Sequence, residues 1–352
     1  MATVSARTLN RTLLHRQHLL RRTTMPALAM AEHLLGLQAQ EPLPPYLSLA
    51  ARVDGFDPAE LSGALERRTA VRVLLMRGTI HLVTPDDCRE LRPLVQPMLD
   101  KITRNSQASK EAAGVPRAEL AAATRAVLGD GPLTLKALGE RLAERFPGVP
   151  AGHLANSARE LLPLVQLPPR GMWKLSGGVV YDTAESWLGG ALSAAPDPAE
   201  VVRRYLRAFG PASPADLTAW SRVTGMKPVV EAIRDELVEH RDGAGRQLFD
   251  LAGLPLTDPD TPAPVRLLGR YDNLWLSHAD RDRVTAPDKR KRWMGSNGGV
   301  GCTVFVDGLL EGIWRPTAAG RVELELLRPL TRSERQDLDV EVARVETLLA
   351  TP

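Results

Sequence analysis

The feature that most constrains the fold of this chain is a repeated order of elements, in which amphipathic helical segments precede a short β-favouring run. Near the N-terminus the helical segments are residues 8–21, 26–36, 45–53 and 57–67. They precede "AVRVLLMRGTIHLVTPDD", where apolar runs flank Arg77 and Gly78 as the turn of a hairpin. Helices followed by a hairpin are typical of a winged-helix unit, which is a helix-turn-helix with a β wing.

The same order recurs twice along the chain. Periodic apolar residues predict helices over 117–129, 133–145, 152–165, 198–209, 213–223 and 226–238. The first three precede the hairpin-like "RGMWKLSGGVVYD", with a turn at Ser176-Gly177-Gly178, and the last three precede the strand-like "RQLFDLA". No residue-level repeat accompanies this recurrence, so it is a repetition of architecture.

The composition changes after residues 254–264, a linker rich in Pro and Asp. Strand-like runs follow in "VRLLGRYDNLWLSH", "GCTVFVDGLLEGIWRP" and "GRVELELLRPL", and a charged amphipathic helix covers about 332–350. We therefore predict an α+β fold, mainly helical, of tandem winged-helix units with a C-terminal β-rich region and a terminal helix. The predicted segments are residues 1–112, 113–197, 198–260 and 261–352.

Composition excludes several classes of protein. The 352 residues are 43% hydrophobic but only 4% aromatic, so the cores should consist largely of Leu, Val and Ala. The net charge of +3 permits a polyanionic partner without demonstrating one. Cys88 and Cys302 are far apart, so neither a disulfide framework nor a Cys-based zinc site is predicted. Because no secretory signal or membrane-spanning run is present, we expect a cytoplasmic protein, with no metal and no cofactor.

Two glutamines, Gln38 and Gln40, lie in "GLQAQEPLPP" between a helical pattern and a run of prolines. Residues i and i+2 of a helix do not share a face, whereas those of an extended chain do. A joint role for the two amides therefore requires non-helical backbone at 38–40, and Gly36 is a suitable point for the helix to end. The alternative is that both amides tie off that helix end.

Three further stretches carry candidate binding residues. In "RGTIH", Arg77, Thr79 and His81 alternate onto one hairpin face, which contacts phosphates or is simply exposed. In "YDNLWLSHADRDRV", Asp272 lies in a mostly apolar run, where a carboxylate is costly unless it has a partner such as an arginine. The same stretch adds His278, Arg281 and Arg283, and its spacing fits no zinc signature.

The strongest local basic cluster is "DKRKRWMGSNGG", with four consecutive cationic residues before a glycine-rich turn. The four residues are Lys289, Arg290, Lys291 and Arg292. Such a cluster suits phosphate contacts whose strength falls with salt. The alternative is a solvated basic loop.

Six blocks of the sequence resemble the AlkZ/YcaQ family of bacterial winged-helix DNA glycosylases. They are "LNRTLLHRQHLL", "LLGLQAQEPLPPYLSLAARV", "LMRGTIHLVTPDD", "YLRAFGPASPADLTAWS", "LLGRYDNLWLSH" and "DGLLEGIWR", in the family's order and over nearly the whole chain. The resemblance implies a C-shaped molecule around a DNA channel that excises N-alkylated bases. It makes the residues of the three stretches candidates for DNA binding: the hairpin residues contact phosphates or wedge near the lesion, and Asp272 binds the lesion unless it pairs with an arginine. Gln38-Ala39-Gln40 matches the catalytic Gln-x-Gln motif of the AlkZ-like branch, which is associated with resistance to alkylating natural products and interstrand crosslinks.

Neutral glutamines suffice for this chemistry when the base is already cationic. An N7-alkylguanine or N3-alkyladenine leaves as a neutral base, through an oxocarbenium-like transition state. Two amide oxygens can orient the attacking water, and no lysine near the motif offers a Schiff base. We therefore expect a monofunctional DNA glycosylase, a monomer acting on alkylated double-stranded DNA. The alternative is a winged-helix transcriptional regulator without catalysis.

Overall fold

The computed structural model describes residues 2–104, 110, 114–293 and 301–352. Helices and short strands alternate, which is the α+β class that the sequence predicts. The first segment contains β1 (Ala2–Thr3), α1 (Ala6–Arg16), α2 (Ala27–His33), β2 (Leu37–Gln38), α3 (Pro44–Arg52), α4 (Pro58–Glu66), β3 (Val71–Leu74), β4 (Ile80–Val83) and α5 (Pro85–Arg104).

The second segment contains α6 (Arg117–Gly129), β5 (Leu133–Thr134), α7 (Leu135–Arg145), α8 (Ala151–Leu161), β6 (Leu164–Gln166), β7 (Val180–Thr183) and α9 (Ala184–Leu188). The third contains α10 (Pro198–Phe209), α11 (Pro214–Ser221), α12 (Met226–Ala232), β8 (Leu237–Arg241) and β9 (Gln247–Leu251). Both segments therefore show three helices and a later strand pair, although their winged-helix identity stays a prediction. The side chains of Thr134 and Ser213 cap α7 and α11, as expected for those residue types.

The C-terminal segment is the β-rich region that the sequence predicts. It contains β10 (Arg266–Leu268), α13 (Asn273–Leu276), α14 (Pro287–Trp293), β11 (Cys302–Val306), β12 (Leu309–Pro316), β13 (Val322–Leu326) and α15 (Arg332–Ala350). Strands β10 to β13 form one antiparallel sheet in chain order. A capping box at Thr331 and Glu334 begins α15 where the amphipathic pattern begins.

One sheet joins the first two segments. Its six strands run in the order β2-β4-β3-β6-β7-β5, and Arg72 of β3 pairs with Gln166 of β6. A separate three-stranded sheet joins the N-terminus to the third segment, because β1 pairs in parallel with β8. The largest cluster of buried hydrophobic side chains extends from Leu13 to Leu348, while the second segment has a cluster of its own. The four segment boundaries themselves stay predictions.

The sequence prediction misses helix α5. Pro93 and Pro97 lie inside it, and prolines at these positions argue against a helix on propensity alone. The helix forms because Leu91, Val95 and Leu99 lie on one face and are buried. Burial of such a face contributes more than local propensity to helix formation in proteins.

The second hairpin also differs from the prediction. Its first strand is β6, within and just after the residues predicted as a helix over 152–165, and residues 167–179 connect it to β7. The run "LVQ" forms a strand because both of its edges are paired, with β3 on one side and β7 on the other. The turn residues Ser176-Gly177-Gly178 therefore lie in a long connection.

Candidate active site and nucleic-acid interface

The backbone of the glutamine pair is not helical, as a joint role of the amides requires. Helix α2 ends at His33, and Leu35 and Gly36 have positive φ angles of 55° and 96° that turn the chain away. A Cβ on Gly36 would lie 2.6 Å from Cγ1 of Val83, so glycine is needed there. Gln38 then pairs with His81 in the sheet. Residue 39 lies outside any helix or strand and residue 40 lies in a bend, so the prediction of non-helical backbone at 38–40 is confirmed.

Both glutamine side chains are bound to the β3–β4 hairpin. Gln38 is 7% exposed, and its Oε1 accepts a hydrogen bond of 2.8 Å from Nη2 of Arg77. Gln40 is exposed, and its Oε1 accepts a bond of 3.1 Å from the backbone N–H of Ile80. The two amides therefore bind residues 38–40 to the β3–β4 hairpin. The alternative, in which both amides tie off the end of α2, does not match these contacts. A carbonyl oxygen accepts two hydrogen bonds, so each keeps one lone pair for a further donor.

Arg77 and His81 lie beside Gln38, where the sequence predicted a DNA-contacting face. Nδ1 of the buried His81 lies 3.0 Å from the carbonyl oxygen of Thr79, so this nitrogen donates. Nε2 then accepts from Nη2 of Arg77 at 3.2 Å. Burial, and then the charge of Arg77, lowers the pKa of His81 to about 3, so the ring is neutral. The alternative that His81 lies on an exposed hairpin face is therefore wrong, because its side chain is buried. The half-buried Thr79 donates its hydroxyl to Met76.

Two residues of the third segment, Trp220 and Arg222, also lie near Arg77, and no pattern in the sequence indicated either of them. Nη1 of Arg77 donates to the carbonyl oxygen of Trp220, in the last turn of α11. Arg222, which caps the same helix at a φ of 63°, is exposed. Burial, and then the charges of Arg222 and Arg281, lowers the pKa of Arg77 to about 10. Arg222 stands alone in the sequence, so no local basic cluster marked it.

The predicted residues Arg281 and Arg290 extend this positive region. Nε of Arg281 donates to the carbonyl oxygen of Trp275 at 2.7 Å. Burial, and then the charge of Arg290, lowers the pKa of Arg281. Arg290 lies 3.6 Å from a carboxylate oxygen of Asp282, which offsets part of its charge. Arg77, Arg222, Arg281 and Arg290 together are named the arginine cluster below.

The basic stretch 289–292 lies in helix α14, whereas the alternative placed it in a solvated loop. Pro287 begins this helix, at a position where proline is favoured. Nζ of Lys289 lies 2.8 and 2.7 Å from the two carboxylate oxygens of the buried Glu311, so its charge is neutralised by the protein. The side chains of Lys291 and Arg292 and the glycine-rich turn after them lie outside the described residues.

Asp272 is buried and pairs with an arginine. It lies after the end of β10, at the N-cap of α13, and accepts from the backbone N–H of Leu274, so it is not in a strand. Its two oxygens accept from the two Nη atoms of Arg52 at 2.7 and 2.8 Å, and both side chains have 0% exposure. The geometry therefore matches the alternative of an Asp–Arg pair.

His278 and Arg283 are also inside the protein. His278 is 2% exposed, and its Nδ1 lies 3.0 Å from Oγ of Ser277. Arg283 donates to the carbonyl oxygen of Pro211 at 3.2 Å. Nearby, Asp216 of α11 accepts from the backbone N–H of Ala279 at 2.9 Å. These contacts fix α11, and with it Trp220, against the C-terminal segment.

Burial of two neutral histidines makes the fold sensitive to acid. Burial, and then Arg283, lowers the pKa of His278 to about 3, the same value as for His81. The unfolded chain therefore binds more protons than the folded one below about pH 6.5. The contribution of these two histidines to the free energy of unfolding is complete above that pH and falls as the pH drops toward 3. We expect the free energy of unfolding to fall by about 2 kcal/mol per histidine between pH 7 and 5, measured by urea unfolding. His278→Gln should reduce this dependence, and equal stability at both pH values would contradict the prediction.

No group of His, Cys, Asp and Glu side chains in the described part of the chain is arranged to hold a metal ion. Cys88 and Cys302 are both buried, and burial raises the pKa of each thiol. Within the same residues, no helix has the length and apolar character needed to cross a membrane.

Comparisons with known proteins agree with this fold. A family model described as "DNA glycosylase AlkZ-like" matches residues 31–348. The chain is 28% identical over 326 residues to the interstrand DNA cross-link repair glycosylase of Streptomyces sahachiroi, covering 86% of this chain and 85% of that protein. The solved structure of the Streptomyces sahachiroi DNA glycosylase AlkZ superposes with a TM-score of 0.82 and 23% identity, covering 99% of this chain and 98% of that one. Since the family model spans most of the sequence, the chain belongs to the AlkZ-like family of DNA glycosylases.

Proposed function

We propose that this glycosylase hydrolyses the N-glycosidic bond of N-alkylated purines, and that Gln38 and Gln40 hold the attacking water. The observation that carries the proposal is the fixed direction of both amides. Arg77 and the N–H of Ile80 each occupy one lone pair of a glutamine carbonyl oxygen. The remaining lone pairs accept the two hydrogens of a water, whose own lone pair then faces the sugar C1′.

Because glutamine is a weak base, the proposed mechanism works only on a substrate whose glycosidic bond breaks easily. A neutral amide cannot take a proton from water at neutral pH, so the bond must break largely on its own. A purine alkylated at N7 or N3 carries a positive charge and leaves as a neutral base, which fits an oxocarbenium-like transition state. The groups that contact the two amide oxygens are an arginine and a backbone N–H, so water is the nucleophile and the enzyme is monofunctional.

The proposed contact with the DNA backbone is made by the other three members of the arginine cluster, Arg222, Arg281 and Arg290. Arg222 is exposed, and Arg281 and Arg290 are partly exposed. Guanidinium groups bind phosphates in a bidentate manner, which positions the duplex without reading its sequence. Lys291 and Arg292 stay predicted phosphate contacts. Asp272, His278 and Arg283 are buried, so their proposed part in DNA binding is to support the elements that carry the surface residues.

The curated relative is named for repair of interstrand DNA crosslinks. We propose that guanines crosslinked through N7 are among the substrates of this enzyme as well. The same cationic leaving group is present in a crosslink as in a monoadduct, so the chemistry of the glutamine pair applies to both. A duplex containing a single N7–N7 crosslink, resolved on a denaturing gel, shows directly whether the two strands separate after incubation.

The substrate class is tested with matched duplexes containing one N7-methylguanine or one uracil. Incubation followed by alkali is expected to break the methylguanine strand and to leave the uracil strand intact. A neutral base needs an acid to leave, and the groups that the structure shows bound to the two amide oxygens, Arg77 and the N–H of Ile80, include no carboxyl group. Comparable excision of uracil would contradict the mechanism. A footprint on both duplexes without strand breaks would indicate the regulator, which the comparisons do not support.

A further inference from the structure

We propose that Arg77 is a positioning residue, which fixes the amide of Gln38 for catalysis and is itself held by Trp220 and His81. The proposal rests on the proposed function of the glutamine pair and names a third residue that this function requires. It concerns the Arg77 side chain, which the sequence had suggested as a phosphate contact.

The acceptors around Arg77 are all neutral. Its guanidinium donates to the amide oxygen of Gln38, to the imidazole of His81 and to the backbone oxygen of Trp220. Among residues 2–104, 114–293 and 301–352, no carboxylate lies within ion-pair distance of it. A half-buried cation without a counter-charge costs folding free energy. Such a cost is typical of a functional site, where the position of a group matters more than stability.

Arg77 is held by its own hairpin and by helix α11. Its own backbone adopts a φ of 59° at the tip of the hairpin, followed by Gly78 at 70°. Its two Nη atoms are directed by β4 through His81 and by α11 through Trp220. Helix α11 is in turn held against the C-terminal segment through Asp216. Because the guanidinium is held in one position, the hydrogen bond from its Nη2 fixes the orientation of the Gln38 carbonyl oxygen.

His81 suits this role because it stays neutral. Its Nδ1–H donates to Thr79, so its Nε2 offers Arg77 a lone pair at every pH near neutrality. A protonated ring would instead repel the guanidinium and release Gln38. The glutamine pair is thus organised by one hairpin, through the side chain of Arg77 for Gln38 and the N–H of Ile80 for Gln40.

The test compares Arg77→Met and Arg77→Lys with wild type on N7-methylguanine duplex under single-turnover conditions at saturating enzyme. Lysine keeps the charge but cannot reach Gln38 and Trp220 at once, so both variants should lose about 10- to 100-fold in the excision rate constant. Affinity for the duplex and its salt dependence should not change. Arg315→Met removes an 80% exposed arginine from β12 and should match wild type.

Two readouts separate positioning from a general structural effect. In a Gln38→Ala background, Arg77→Met should cost less than about twofold, because a residue that acts through another adds nothing once that one is gone. Glutamine-selective ¹⁵N labelling, with the Gln38 signal assigned by Gln38→Ala, should show a rigid side-chain amide in wild type and a mobile one in Arg77→Met. This second readout does not need catalysis, so it decides the proposal even if wild type fails to excise N7-methylguanine.

The proposal is overturned by any of three results. An additive loss in the double variant, or an amide of Gln38 that stays rigid without Arg77, would show that Arg77 does not act through Gln38. An unchanged rate constant with weaker binding and a salt slope reduced by about one would make Arg77 a phosphate contact.

Discussion

Replacing Gln38 and Gln40 together by alanine is expected to lower the single-turnover rate constant for excision of N7-methylguanine by about 10²- to 10³-fold. The proposed water site uses both carbonyl oxygens, which accept hydrogen bonds from Arg77 and from the N–H of Ile80. Alanine removes both oxygens, while the backbone of residues 37–39 is still held by hydrogen bonds to β4. Each single variant should cost nearly as much as the pair, because one amide cannot orient the water alone.

The matched control for this experiment is Gln247→Ala. Gln247 is exposed in β9 and bonds to Glu239, away from the hairpin that holds the motif. Its loss should leave the excision rate unchanged. Circular dichroism melting of every variant checks that the fold is retained. Excision by the Gln38→Ala, Gln40→Ala variant at the wild-type rate would remove the glutamines from the mechanism.

The second large effect concerns the buried pair of Asp272 and Arg52. Asp272→Ala is expected to lower the free energy of unfolding by about 3–5 kcal/mol, because it leaves a buried guanidinium without its counter-charge. Gln17 and Ser48 also bind Arg52, but both are neutral and cannot replace the carboxylate. Urea unfolding at neutral pH measures the loss.

Glu323→Ala is the control for that measurement. It breaks a pair with Arg315 in which the side chains are 80% and 52% exposed, and exposed pairs contribute at most about 1 kcal/mol. The same experiment separates the two readings of Asp272. If the folded Asp272→Ala variant has wild-type stability but loses affinity for lesion-containing DNA, Asp272 binds the lesion and is not a structural partner of Arg52.

Patterns that depend on near neighbours predicted the fold well. The terminal helix begins at its capping box, and the helix over 198–209 has the predicted bounds, because caps and periodicity act within a few residues. Strand β6 was missed because its conformation depends on pairing with β3, about ninety residues earlier in the sequence. Helix α5 was missed because its burial outweighs two prolines.

In the candidate site, too, the features set by near neighbours in the sequence were predicted and those set by distant contacts were not. The non-helical backbone of the Gln-x-Gln motif follows from Gly36, which turns the chain away after α2, and from the prolines after the motif, which begin α3. The contact between Arg77 and Trp220 joins residues separated by 143 positions, so no local pattern indicates it. Arg222 was missed for the same reason, because it is brought near Arg77 by helix α11, which is distant in sequence. His81 was expected at an exposed face because alternation gives the side of a strand but not what covers it.

The six-stranded sheet has a mechanical consequence for how the enzyme takes up DNA. Backbone hydrogen bonds between β3 and β6 cross the division between the first two segments, so these segments cannot swing apart without breaking the sheet. A hinge there would also uncover Arg72, which is 1% exposed and donates to the carbonyl oxygen of Ala39 within the motif. The angle between the first two segments should therefore stay constant when a duplex binds, and the damaged nucleotide has to adapt to a rigid surface.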